Sequence, residues 1–166
     1  MRRKRQIKAA PLRASTGPLP DKIAGEYHGQ LLVFTDASKR RQAAIAAVLF
    51  PDHAGEPVVL TEQVPMIGSN ELELQGVLYG LLQARMLFPG RPIALFSDNQ
   101  DAIVRLSRAK SVGIEQDAAL VTIFPGLSMQ VLEDVVRLAS FRWVKAHHYC
   151  RGNLLADAAA GKIAGQ

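Results

Sequence analysis

The chain has 166 residues, 48% of them hydrophobic and 21% charged, which suits one globular domain with an ordinary core and excludes a disordered body. No apolar stretch approaches the ~20 residues that span a bilayer, so a soluble protein is expected. The net charge of +5 is unevenly placed: Arg2, Arg3, Lys4, Arg5, Lys8 and Arg13 fall in the first 20 residues without an acid, leaving 14 basic against 15 acidic residues beyond them.

That basic start reads as a solvated arm or linker, a nucleic-acid contact, or a nuclear or mitochondrial targeting segment. Residues 9–28 carry Pro11, Gly17, Pro18, Pro20 and Gly25 with little periodicity, so residues 1–28 read as tail and linker, and the domain is expected over 29–166. The lone Cys150 has no internal partner and suits a reducing compartment, cytoplasmic or nuclear, as for a viral or retroelement protein acting inside cells.

Strands are expected at Leu31–Asp36, Ala43–Phe50 and Val58–Val64, with connections short enough to imply antiparallel pairing. A helix follows over Ser69–Leu87, capped by Ser69 or Asn70, with Leu72, Val77, Leu78, Leu81 and Leu82 at helical spacing and Pro89-Gly90 as its stop. The fourth strand, Ile93–Ser97, is almost wholly apolar, as in a strand covered on both faces. A second helix begins near Asn99. Residues 113–140 look helical but broken at Pro125-Gly126, with Ser128 as a cap, and the strand Phe141–Lys145 and a helix from Asn153 close the domain. The alternation gives a strand, crossover helix, strand unit and an α/β fold.

Four acids stand out in this frame: Asp36 and Asp98 at the ends of apolar runs, Glu73 early in the long helix, and Asp157 on the last helix. Each has a plain alternative. Asp36 would form a turn, Asp98 would cap a helix, Asp157 would favour the helix macrodipole, and either Glu71 or Glu73 would be solvated because residues two apart share no helix face. Brought together, four carboxylates would repel one another unless cations were part of their function, and hard oxygen donors suit magnesium. Two such ions roughly 3.5–4 Å apart serve phosphodiester hydrolysis.

Four segments, in order and compatibly spaced, resemble the ribonuclease H family over about residues 31–164: Phe34-Thr35-Asp36-Ala37-Ser38, Asn70-Glu71-Leu72-Glu73-Leu74, Ser97-Asp98-Asn99-Gln100, and Trp143-Val144-Lys145-Ala146-His147 with Gly152-Asn153-Leu154-Leu155-Ala156-Asp157. In the second, an Asn three residues ahead of the family's catalytic Glu selects Glu73 over Glu71.

The resemblance implies a ribonuclease H-like fold: a five-stranded mixed sheet with strands 1–3 antiparallel and strands 1, 4 and 5 parallel, flanked by helices. It implies hydrolysis of the RNA strand of RNA–DNA hybrids, with two magnesium or manganese ions held by Asp36, Glu73, Asp98 and Asp157. His147 would assist proton transfer or product release. Asn153 would support the site or cap the last helix, and Trp143 is read as core. Asn70 would sense RNA, and Ser38, Lys39 and Arg40, in a short basic connection unlike the family's Gly- and Asn-rich one, are further candidate substrate contacts. The Lys- and Trp-rich handle of many bacterial members is missing, since residues 107–140 hold only Arg108, Lys110 and Arg137 as cations. This looks more like the domains of retroviral and retroelement reverse transcriptases, in which the linker would lead to an upstream polymerase.

Overall fold

Eight consecutive apolar residues, Ala43–Phe50, are all buried, the pattern of a strand covered on both faces. They form β2 of a sheet seen in a computed structural model that describes residues 17–123, 127–145 and 150–166. The other strands are β1 (Leu31–Lys39), β3 (Val58–Val64), β4 (Ile93–Ser97) and β5 (Ala139–Trp143), in the order β3-β2-β1-β4-β5. β1 pairs antiparallel with β2 and β2 with β3, whereas β1–β4 and β4–β5 are parallel. This is the mixed five-stranded sheet that the family resemblance implies.

The helices are α1 (Asp21–Ala24), α2 (Ser69–Leu87), α3 (Gln100–Val112), α4 (Ala118–Thr122), α5 (Met129–Arg137) and α6 (Arg151–Ala164). Alternation along the strands separates two apolar layers. Leu31, Val33, Ile45 and Leu95 pack with Val77, Leu81, Leu106 and Val135 of α2, α3 and α5. Leu32, Phe34, Phe50 and Phe96 form the opposite layer with Ala156 of α6 and the buried Cys150. No helix among the described residues is long and apolar enough to cross a membrane.

Glycines set how closely the helices approach this sheet. A Cβ on Gly80 of α2 would stand 2.5 Å from Thr35 Cγ2 and 3.2 Å from Val33 Cγ1, and one on Gly152 of α6 would fall inside contact distance of the Phe34 ring. Both helices therefore lie lower on β1 than any other residue at these positions would allow.

Several boundaries differ from expectation. β1 continues three residues beyond Asp36, because its antiparallel register with β2 persists to Lys39↔Ala43. β5 runs Ala139–Trp143 rather than Phe141–Lys145, since its parallel pairing spans Ile93↔Ala139 to Ser97↔Trp143 and so takes its length from β4. Gly68, not Ser69 or Asn70, is the N-cap of α2, with the Glu71 carboxylate folded back against it. α6 starts at Arg151 with Cys150 as its N-cap, so Asn153 lies inside the helix and does not cap it. Ser128 does cap α5, its Oγ accepting from the Val131 N–H at 3.2 Å, while Pro125-Gly126 lie outside the described residues. Trp143 is not core: it closes an edge strand and is 45% exposed.

The described part of the segment read as linker packs on the α6 face. Leu19 is buried, the Pro18 carbonyl accepts from the Gly152 N–H at 3.1 Å, and Tyr27 meets Phe96 edge-on at 5.0 Å. Arg142 of β5 ties the same segment down through Glu26 at 2.7 Å and the Tyr27 hydroxyl at 3.1 Å.

Candidate metal centre

Parallel pairing of β1 with β4 places Phe34 opposite Phe96, so Asp36 and Asp98, each two residues further on, emerge at the same level of adjacent strands. This is the carboxyl end of neighbouring parallel strands, where open α/β sheets usually carry their sites. Glu73 arrives from the first turns of α2. Gly76, three residues on and on the same helix face, sits against β1, where an added Cβ would be 3.3 Å from the Asp36 carbonyl oxygen. One carboxylate oxygen from each of Asp36, Glu73 and Asp98 lies within 4.8 Å of the others.

The electrostatics explain why such a group is unusual. Burial, then the charge of Asp98 and the nearness of Asp157, push Asp36 up from 3.8 to about 8, despite the Ala37 N–H donating to its Oδ1 at 2.9 Å. Burial followed by the charges of Asp36, Asp98 and Asp157 pushes Glu73 up from 4.5 to about 9. Asp157 itself is exposed, on the rim beside Asp36. A set of hard carboxylate oxygens at this spacing fits a divalent cation such as magnesium or manganese, whose charge would remove the repulsion.

The plain alternatives for Asp36, Asp98 and Asp157 do not hold in the fold. Asn99, not Asp98, is the N-cap of α3, its Oδ1 accepting from the Ala102 N–H at 2.8 Å. Asn99→Ala should therefore cost about 1 kcal/mol of stability in denaturant unfolding while the affinity for divalent ions changes little. Asp36 forms no turn, since β1 continues through it. Asp157 is the seventh residue of α6, beyond the first turn in which the macrodipole acts. Glu71 serves the start of α2 and is exposed.

The remaining sequence candidates are scattered around the cluster. Asn70 is exposed in the first turn of α2, Ser38 is half-buried at the end of β1, and Lys39 is exposed beyond it. Arg40 lies over Gly161 and Gly165 in the last turn of α6, where a cation favours the negative helix end. Gln42 completes that contact, its Nε2 donating to the Ile163 carbonyl at 2.6 Å. Asn153 is buried, its Oδ1 without a hydrogen-bond partner among the described residues. His147 lies outside the described residues.

Sequence reasoning missed Gly76, Gly80 and Gly152 as the residues that seat the site-bearing helices. Their signal was available: glycine inside a helical pattern costs about 1 kcal/mol relative to alanine, so it usually has a packing reason.

No protein-family model and no curated protein matches the sequence. Solved structures do resemble it. RNase H1 of the halophilic archaeon Halobacterium salinarum is 21% identical, with 79% of this chain and 94% of that one covered and a TM-score of 0.57. The N-terminal RNase H domain of a Mycobacterium tuberculosis protein is 21% identical over 78% and 95% of the two chains, with a TM-score of 0.58. The prototype foamy virus protease–reverse transcriptase is 18% identical, with 83% of this chain but 21% of that longer one covered and a TM-score of 0.55. Cellular and retroviral structures match at comparable levels, and what they share with this chain is its architecture: it has the ribonuclease H-like fold, with a clustered acidic triad at the carboxyl ends of its central parallel strands.

Proposed function

We propose that the protein is a divalent-metal-dependent endoribonuclease that hydrolyses the RNA strand of RNA–DNA hybrids. The observation carrying this reading is the convergence of Asp36, Glu73 and Asp98 within 4.8 Å, in a fold shared with RNase H proteins, one of them solved in complex with an RNA/DNA hybrid. Asp36, Glu73, Asp98 and Asp157 would together hold two ions. When bound, magnesium or manganese supplies Lewis-acid polarisation of the scissile phosphate and neutralises charge on the leaving oxygen. The protein's own part is to hold the carboxylates at one level of the sheet, where burial and like charge push Asp36 and Glu73 up and a cation would restore their charged form. Asn70, on the exposed start of α2, would read ribose 2′-hydroxyls. Ser38 and Lys39 would meet the backbone, and Asn153 would support the cluster from α6. His147 would assist proton transfer or product release.

The finer reading, a domain working with an attached polymerase, draws on the missing handle and on the Pro-containing linker; the basic first 20 residues are a separate matter. Those residues should carry much of any salt-sensitive grip on the substrate.

A cleavage assay with end-labelled substrates in magnesium tests the main reading. Hybrid should be cut in its RNA strand, and duplex RNA and duplex DNA should not; preferential cutting of duplex DNA would move the reading to a DNA nuclease, and no cutting of hybrid would remove it.

A further inference from the structure

A second feature lies along the free edge of β5. A groove of about 400 Å³ runs there, lined by Pro20, Lys22, Ile23, Arg142, Trp143 and Lys145. Trp143 is the chain's single tryptophan and is 45% exposed. Its indole N–H donates to the Asp98 carbonyl at 3.1 Å, which joins the groove to the segment bearing one of the clustered acids. Arg142 is already engaged by Glu26 and Tyr27. Lys22 and Lys145 are exposed and enter no ion pair among the described residues. An exposed indole whose one polar atom is already satisfied, beside unpaired ammonium groups, is the combination on which single-stranded nucleic acid is held: a base stacks on the ring while phosphates follow the cations.

We infer that the β5-edge groove binds an unpaired stretch of nucleic-acid strand adjoining the acidic cluster, with a base on Trp143 and phosphates at Lys22 and Lys145. This deepens the nuclease reading, on which it rests, by naming the form of strand held next to the site. Charge complementarity selects this occupant. Lys22 and Lys145 attract a polyphosphate strand, and the exposed indole offers a base its stacking face.

Because Trp143 is the sole tryptophan, its fluorescence reports on this groove alone. Full-length protein in EDTA, titrated with single-stranded DNA or RNA octamers, should show saturable quenching that weakens with salt. In Lys22→Ala/Lys145→Ala, two exposed changes with no expected effect on folding, the log–log salt slope should fall by roughly 1.4 and low-salt affinity by roughly 10-fold. Trp143→Ala, followed by anisotropy of a labelled octamer, should bind roughly 5- to 150-fold more weakly. Octamer binding without quenching, an unchanged slope in the lysine variant, or equal quenching by an oligoglutamate peptide would each overturn the inference. Quenching that persists in a protein unable to cleave hybrid would uphold the groove and remove the nuclease reading alone.

Discussion

Asp36→Asn should lower hybrid cleavage by at least ~100-fold while raising the melting temperature of the metal-free protein. The first effect follows from its place in the cluster: loss of a residue that merely orients a metal ligand typically costs 10–100-fold, and loss of a ligand costs more. The second follows from the strain of the site. Burial and like charges push Asp36 up to about 8 and Glu73 up to about 9, from 3.8 and 4.5. The folded protein therefore holds more protons than the unfolded chain between those limits. Stability from these groups is fully present below about pH 4 and is lost as pH rises through 8 and 9, so the metal-free melting temperature should fall across that window. In Asp36→Asn the fall should be shallower, because Glu73 loses one of the charges that raise it. Each kcal/mol recovered is worth about 2–4 °C in a domain of this size. Magnesium should act oppositely, stabilising the wild type more at pH 8 than at pH 5, because it binds the deprotonated carboxylates and releases their protons. Thermal melts at several pH values, with and without magnesium, check all of this; an Asp36→Asn protein that melts lower than wild type without metal would contradict the account.

Gly152→Ala should destabilise the protein by about 1–3 kcal/mol, the usual cost of forcing a methyl group into a packed core. Helix propensity works the other way and favours alanine by up to about 1 kcal/mol. The steric effect should win, because the obstacle is rigid. The added Cβ would meet the ring of Phe34, which is fully buried, stacked on Phe96 at 5.0 Å and edge-on to Phe50 at 5.8 Å. Gly80→Ala should behave alike against Thr35 and Val33, whereas Gly25→Ala meets nothing within 4 Å and should be close to neutral. Urea midpoints at constant m-value measure the three directly. Activity should fall more than stability in the Gly152 variant, since displacing α6 also moves Asp157.

Much of this molecule was legible in advance because its strands are strongly apolar and its helices have the right period. β2, β3, β4 and α2 fall where pattern alone put them, and Ser128 caps α5. Boundaries failed where a neighbour decides them. β5 took its ends from pairing with β4, and β1 ran past Asp36 because β2 continued beside it. Trp143 was misread as core because composition favours burying an indole, whereas its position at the end of an edge strand leaves it exposed.

What the sequence by itself determined is the inventory: one α/β body, a basic start, and four acids in four separate segments, in an order that resembles a known family. Only the tertiary structure decided that these acids meet. Asp36 and Asp98 are brought level by a parallel register between strands more than 50 residues apart, and Glu73 by a helix that two glycines let down onto β1. Only the fold also showed that Asn99, not Asp98, caps α3. The physical reason is that a carboxylate's role depends on its distance from other charges and from water, and those distances arise from packing between segments that local sequence does not relate.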